Sequence, residues 1–160
     1  MRCCVPIIAD SVASRRRSQN RNALLCRRGL GYTSFMDAKV LVVDDSIVAR
    51  MSLKSTLREL GVETTEARSG EEALSLLENG YAPDLVFLDL TMPGLGGIAT
   101  LERLIAAMPD LPVVIVTADL QDSTREEVRE AGGFDIVRKP ADPSIVRDAL
   151  SRGLMRKGRD

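Results

Sequence analysis

The segment KVLVVDDS at residues 39–46 decides the fold of this chain. Lys39–Val43 is a nearly continuous run of aliphatic side chains, most of them β-branched, which predicts a buried strand. Ser46 can cap a helix that ends at Gly61. The inward face of that helix is predicted to carry five apolar side chains, those of Ile47, Val48, Met51, Leu57 and Leu60. The segment therefore predicts one strand–helix unit.

The same order of strand and helix recurs four more times. Further strands are predicted at 62–67, 85–88, 113–116 and 134–137, and further helices at 71–78, 97–108, 123–131 and 143–153. The strands are apolar on both faces, which favours a parallel sheet covered by helices on both sides. The last helix is predicted to pack through Ile145, Val146, Ala149 and Leu150. We predict an α/β fold, a flavodoxin-like (βα)5 doubly wound parallel sheet with strand order 2-1-3-4-5.

Charge divides the chain into two regions. The 160 residues have a net charge of −1, but residues 1–35 hold seven Arg and one Asp, while the remainder is acidic. We predict one folded domain at 36–155, a short tail at 156–160, and a disordered basic tail or a mis-assigned start at 1–35. An organellar targeting peptide and an arm that binds anionic surfaces are the alternatives for residues 1–35.

Composition excludes several kinds of site. The chain contains no His, which removes Ser/His/Asp and Cys/His triads and every His-ligated metal. All three Cys lie in residues 1–35, so the acidic region is built without disulfides. No apolar run reaches the ~18 residues of a transmembrane helix. We expect a cytoplasmic protein without a membrane span.

Polar residues follow four of the five predicted strands. Asp44 and Asp45 follow the first strand, Asp89 the third, Thr117 the fourth, and Lys139 the fifth. In the predicted strand order these four strands are neighbours, and their carboxyl ends form one edge where ligands bind. Each residue alone could only cap a helix or a turn, but four in the correct places predict a shared site.

Three carboxylates at one edge repel each other unless a cation neutralises them. Oxygen ligands without His or Cys suit Mg²⁺. Beside such a cation a carboxylate can attack a phosphoryl group and form an aspartyl-phosphate, and Thr117 and Lys139 can donate to the phosphoryl oxygens. The residues therefore predict phosphoryl chemistry.

Four stretches together resemble the receiver domains of bacterial response regulators, the CheY-like domains of two-component signalling. They are VLVVDDS at 40–46, DLVFLDLTMPGLGG at 84–97, PVVIVTA at 112–118 and RKP at 138–140. The resemblance implies that Asp89 is the phosphoacceptor and that Asp44, Asp45 and Asp89 bind Mg²⁺ with the backbone carbonyl of Thr91. It further implies that Thr117 is the switch hydroxyl, that Lys139 contacts the phosphoryl group, and that the Lys139–Pro140 peptide is cis.

The neighbourhood of the implied switch comprises Ala118, Asp119, Ile136 and Pro140. Asp119 occupies a position that tunes phosphoryl lifetime in the family. Ile136 stands where the family often has Tyr or Phe, which puts the usual aromatic switch in doubt. Phe134 is expected on the same strand face as Ile136, because side chains two residues apart share a face in a regular strand.

The resemblance implies a stand-alone signalling switch rather than an enzyme. A histidine kinase would be the phosphodonor, a phosphatase could act on the product, and an output protein would bind the face of helix 4, strand 5 and helix 5. We expect no DNA-binding domain, and no catalysis beyond the protein's own phosphorylation and slow dephosphorylation. A scaffold or phosphate sink is the alternative. Two other interpretations of the chain fit less well. An aspartyl-phosphate phosphatase would normally have Asp where Thr91 lies, and a flavin carrier would have a phosphate-binding loop where Asp44 and Asp45 lie.

Overall fold

The computed structural model describes residue 35 and residues 37–157. Strands and helices alternate along the chain as β1 (Lys39–Val43), α1 (Ile47–Glu59), β2 (Glu63–Ala67), α2 (Gly70–Glu78), β3 (Leu85–Asp89), α3 (Gly97–Ala107), β4 (Val113–Thr117), α4 (Asp122–Glu130), β5 (Asp135–Arg138) and α5 (Pro143–Lys157). The predictions for the basic segment fall on residues 1–34, which lie outside the described residues, as do residues 158–160.

All strand pairs are parallel, and the order across the sheet is β2-β1-β3-β4-β5. The predicted fold class and strand order are therefore confirmed. Val43 of β1 pairs with Leu88 of β3, so Asp44 and Asp89 follow at equivalent positions on adjacent strands. Register and order together bring the predicted site residues to one edge.

Burial differs between the central and the outer strands. All residues of β3 and β4 are buried, and so are four of the five in β1. The edge strands β2 and β5 are mostly half-buried. The expectation that the strands are apolar on both faces is correct for the three central strands. It is wrong for the edges, because β2 (ETTEA) and β5 (DIVR) carry polar residues that stay partly exposed.

The sheet separates two apolar clusters. One lies between the sheet and helices α1 and α5 and includes Leu57, Phe87 and Leu150. The other lies between the sheet and helices α2, α3 and α4 and includes Leu101 and Val128. Helices on both faces bury successive residues of the central strands in alternate clusters, which explains why these strands are apolar throughout.

The inward face of α1 differs from the predicted one. Leu53 and Leu57 are buried and Leu60 is half-buried, as a core face requires. Three side chains that were predicted to face inward are exposed instead: Ile47, Val48 and Met51 are 65%, 77% and 65% exposed. These three residues are called the α1 apolar patch. The first turn of α1 carries apolar residues on more than one side of the helix. The apolar pattern therefore led to a wrong prediction of which residues in this turn face the core. At the start of α5, Ile145 is likewise exposed, contrary to prediction, while Val146, Ala149 and Leu150 are buried.

Helix α5 continues to Lys157, past the end predicted at Gly153 and past the domain end predicted at 155. Gly153 is buried against the sheet: a Cβ there would lie 2.4 Å from Leu85 Cδ1. This glycine therefore serves close packing of α5 on the sheet and does not end the helix. No described helix combines the length and the apolar character that a membrane crossing requires.

The revised inward face of α1 can be tested with two truncations. Leu57→Ala removes a fully buried side chain, so unfolding free energy should fall by about 2–5 kcal/mol. Met51→Ala removes an exposed one and should change it by less than about 0.5 kcal/mol. Urea unfolding measures both, and equal losses would contradict the assignment of faces.

Candidate functional site

Three carboxylates meet at the carboxyl edge of the sheet. Asp44 and Asp45 directly follow β1, and Asp89 is the last residue of β3. One carboxylate oxygen from each lies within 4.8 Å of the others. Asp44 and Asp89 are 5% and 4% exposed, whereas Asp45 is open to solvent. The three carboxylates are brought together as predicted, and they offer a set of hard oxygen ligands.

Lys139 joins two of these carboxylates. Its Nζ lies 2.6 Å from Asp44 Oδ2 and 2.8 Å from Asp89 Oδ2. Burial works against its charge, but hydrogen bonds to the two carboxylates outweigh it and raise the pKa of Lys139 above its usual value. The Lys139–Pro140 peptide is cis, which confirms the prediction. An ammonium group thus neutralises part of the negative charge at the edge.

Short loops orient the two buried carboxylates. The Ser46 N–H donates to Asp44 Oδ1 at 2.8 Å, and the Thr91 N–H donates to Asp89 Oδ1 at 3.2 Å. Each carboxylate is therefore held by the backbone two residues further on. The Ser46 hydroxyl in turn accepts from the Ala49 N–H at 3.4 Å and caps α1, as predicted. Thr91 lies beside the site, and the role of its carbonyl as a metal ligand stays a prediction.

Thr117 ends β4 and is fully buried. The Lys139 N–H donates to its carbonyl at 2.8 Å, and its Oγ1 accepts from the Asp119 N–H at 3.1 Å. Asp119 holds the start of α4, because its carboxylate accepts from the Gln121 N–H at 3.0 Å and the Thr124 hydroxyl at 3.1 Å. A hydrogen-bonded path therefore connects Thr117 to α4, with the exposed Ala118 between Thr117 and Asp119.

The predicted shared face of Phe134 and Ile136 is wrong. Ile136 packs on the cluster below α2, α3 and α4, whereas Phe134 packs on the opposite cluster. The ring of Phe134 also lies 5.5 Å from the guanidinium carbon of Arg156 in α5. Strand β5 begins only at Asp135, so Phe134 precedes the regular strand and the two-residue rule does not apply. Phe134 therefore does not replace an aromatic residue at position 136.

Two charged residues that hold the loops around the site were not predicted from the sequence. Arg50 in α1 is buried and donates through Nη1 to the carbonyl of Asp44 at 2.6 Å. Glu71 in α2 accepts from the Leu95 N–H at 2.8 Å, which ties α2 to the loop between β3 and α3. Arg50 shares the helical spacing of Leu53 and Leu57, so a charge within the buried stripe was the available signal. Glu71 had no comparable signal.

Gly97 allows α3 to begin directly against the end of β3. Its N–H donates to the carbonyl of Leu90 at 3.2 Å. A Cβ at this position would lie 2.3 Å from Leu90 Cα and 2.6 Å from the carbonyl oxygen of Asp89. Both are backbone atoms and cannot move aside as a side chain can. The glycine therefore permits the close approach of α3 to the segment that carries Asp89.

Comparison with known proteins agrees with this fold. The family model of the response regulator receiver domain matches residues 40–151. The chain belongs to the response regulator receiver domain family. It is 34% identical to the chemotaxis protein CheY of Thermotoga maritima over 73% of this chain and 98% of that protein. It is also 34% identical to sporulation initiation phosphotransferase F of Bacillus subtilis, over 74% and 95%.

A solved structure supports the same relationship. The chemotaxis response regulator CheY4 of Vibrio cholerae superposes with a TM-score of 0.67 at 28% identity, covering 73% of this chain and 98% of that one. The similarity thus spans the described domain rather than the four motifs alone. As a member of this family, the chain has the features of a phosphorylation-dependent signalling domain.

The contact at Gly97 predicts an effect opposite to helix propensity. Ala is intrinsically better than Gly inside a helix by about 1 kcal/mol. Gly97→Ala should nevertheless lower the unfolding free energy, by about 1–3 kcal/mol, because the new Cβ overlaps the backbone of residues 89 and 90. Ala106→Gly, at an exposed position of α3, measures propensity alone. Denaturant unfolding that shows stabilisation by Gly97→Ala would contradict the close approach.

Proposed function

We propose that the protein is a signalling switch in which Asp89 accepts a phosphoryl group from a histidine kinase. The observation that carries the proposal is the position of Asp89. Its carboxylate is buried at the end of the central strand β3. Asp44 follows the neighbouring strand β1, Thr117 ends the other neighbour β4, and the ammonium group of Lys139 lies 2.8 Å from the Asp89 carboxylate. Asp89 is the one carboxylate of the described cluster that lies on β3, the central strand of the sheet.

In the proposed reaction a carboxylate oxygen of Asp89 forms a bond to phosphorus. The bond between phosphorus and the imidazole nitrogen of the donor's phosphohistidine breaks, and its electron pair remains on the imidazole. The product is an acyl phosphate. Lys139 would neutralise charge on the phosphoryl oxygens, and Thr117 would donate its hydroxyl hydrogen to one of them.

The carboxylates of Asp44, Asp45 and Asp89 fit Mg²⁺, together with the carbonyl of Thr91. Their oxygens lie within 4.8 Å of one another, and the set contains only oxygen, which Mg²⁺ prefers. When bound, the ion would neutralise the repulsion between the carboxylates and the incoming phosphoryl group. The exposed carboxylate of Asp45 would leave room for water ligands on that side.

A protein as phosphodonor is favoured by the surface next to the site. The α1 apolar patch begins two residues after Asp45, and its exposed side chains do not pack in the core. A groove of about 440 Å³ continues from it between α1 and the loop after β5, with Val48 and Lys139 in its lining. A donor that reaches Asp89 would cover this surface and bury apolar area.

The proposed output runs through α4. Among the nine residues Asp122–Glu130, Val128 is the one that is buried, so α4 is held to the domain by little apolar packing. Movement of Thr117 toward a phosphoryl group would disturb the hydrogen bond that its hydroxyl accepts from the Asp119 N–H. Because Asp119 holds the start of α4, that helix would be disturbed as well. A partner binding the face of α4, β5 and α5 would detect the change. The protein would turn over no external substrate beyond its own phosphorylation and slow dephosphorylation.

Phosphorylation at Asp89 can be tested by intact mass. Acetyl phosphate with Mg²⁺ should add one phosphoryl group to the wild-type protein. Asp89→Asn should abolish the addition, because a neutral amide replaces the nucleophilic carboxylate. Asp110→Asn, at an exposed position outside the cluster, should behave as wild type. Addition that persists in Asp89→Asn would place the acceptor elsewhere.

The switch can be tested by amide chemical shifts with and without phosphodonor. Phosphorylation should shift amides of α4 in the wild-type protein and in Ile136→Ala, which should lose at most about 2 kcal/mol of stability. Thr117→Ala should confine the shifts to the site, because the hydroxyl that links the phosphoryl group to Asp119 is missing.

A different result would favour the second candidate, a scaffold or phosphate sink. The presence of Ile136 where relatives often have an aromatic residue motivates that candidate. It expects a phosphorylated wild-type protein whose α4 amides do not shift. Loss of the α4 response in Ile136→Ala, with retention in Thr117→Ala, would contradict the proposed route through Thr117.

A further inference from the structure

Arg50 is a charged residue in the buried stripe of α1, at 6% exposure. Burying a guanidinium group is unfavourable unless it is paired and hydrogen-bonded. Arg50 has two partners on different elements: Nη1 donates to the carbonyl of Asp44 at 2.6 Å, and Nε donates to Glu66 Oε2 at 3.2 Å. It therefore connects β2 to the loop that carries two of the three site carboxylates.

Glu66 balances the charge of Arg50. Its Oε1 also accepts from Lys54 Nζ at 2.5 Å, and this hydrogen bond, with a smaller one from Arg50, lowers the pKa of Glu66 despite its partial burial. Glu66 thus remains ionised at neutral pH. The guanidinium charge is compensated on the β2 side, so its main effect on the loop comes from a directed hydrogen bond.

The carbonyl that Arg50 holds belongs to the peptide group between Asp44 and Asp45. The same loop is fixed at neighbouring points: the Asp44 N–H donates to the Ala67 carbonyl at 3.2 Å, and the Arg50 N–H donates to the Ser46 carbonyl at 3.0 Å. Repulsion among the three carboxylates acts to spread the loop when no cation is bound. The peptide group between two of them is where an anchor is most effective.

We propose that Arg50 is a positioning residue for the cation site, holding the Asp44–Asp45 peptide group so that both carboxylates face the position of the ion. The inference rests on the proposed function, because it takes Mg²⁺ as the ligand of these carboxylates. Arg suits the task because its planar guanidinium donates in two directions, to a carbonyl and to a carboxylate. A Lys at this position offers a single ammonium group with a shorter overall reach.

Geometry and charge predict opposite effects when Arg50 is replaced. By Coulomb's law, removing a cation near three carboxylates strengthens the binding of another cation. Removing an anchor of the loop that carries Asp44 and Asp45 weakens the binding of that cation. Arg50→Met keeps an unbranched apolar stem in the buried stripe and deletes both donors. The sign of the change in Mg²⁺ affinity therefore separates positioning from electrostatics.

The experiment measures the dissociation constant of Mg²⁺ by isothermal titration calorimetry on the full chain, with Mg²⁺ as the only ligand. The temperature is one at which circular dichroism shows that every variant is folded. Arg50→Met should raise the dissociation constant by about tenfold or more, as expected when a residue that orients a metal ligand is lost. Arg50→Lys should give an intermediate loss. It also serves as the test if Arg50→Met does not fold.

Two matched controls lie on the same helix. Lys54→Met removes the other cation at Glu66 but leaves the bond from Arg50 to Asp44, so affinity should stay within about twofold of wild type. Leu57→Ala destabilises the core without touching the loop and should also stay within about twofold. Wild-type or tighter binding in both Arg50 variants, or an equal loss in Leu57→Ala, would overturn the inference. Absence of Mg²⁺ binding by the wild-type protein would instead refute the proposed site itself.

Discussion

The ion pairs between Lys139 and the carboxylates of Asp44 and Asp89 are the interaction on which the site depends. Two buried carboxylates side by side, with a third nearby, are mutually repulsive, and burial weakens the screening by water. The ammonium group of Lys139 reaches both from the end of β5, across the position of β4. Lys139 and Asp44 are 95 positions apart in the chain. Lys139 stabilises the carboxyl edge of the sheet when no metal cation is bound. Because one ammonium group cannot neutralise three carboxylates, negative charge remains there for a metal cation to neutralise.

The sheet provides a rigid base for this charge. The three central strands are buried on both faces, so the positions of their last residues are determined by close packing. At the periphery, α4 packs mainly through Val128, and its first turn is tied to Asp119. The acidic edge rests on closely packed strands, whereas α4 has little apolar packing. Such a domain is suited to converting a change of charge at the edge into a change in the position of α4 on the protein surface. The proposed route through Thr117 links the two parts.

Prediction from sequence succeeded where periodicity and topology were sufficient. Alternating strands and helices with aliphatic strands admit few arrangements, and a parallel sheet gathers the ends of its strands at one edge. Asp44, Asp89 and Lys139 could therefore be assigned to one site without coordinates. The prediction failed at α1 and at Phe134. Apolar side chains on several sides of the first turn of α1 did not show which stripe faces the sheet, and the start of β5 one residue later than predicted moved Phe134 to the other face.

By itself, the sequence determined the fold class, the order of the strands and the chemical types at the carboxyl edge. These properties follow from local patterns that repeat along the chain. Only the tertiary structure decided that Arg50 is buried and bonded to the loop carrying Asp44, and that Gly97 lies against the backbone of β3. Both facts depend on the distance and orientation between a helix and the end of the strand that precedes it, which arise when the helices pack on the sheet. A charged residue on a helix, or a glycine at its first position, can have several roles, and the packing decides between them by placing a carbonyl or another backbone atom beside it.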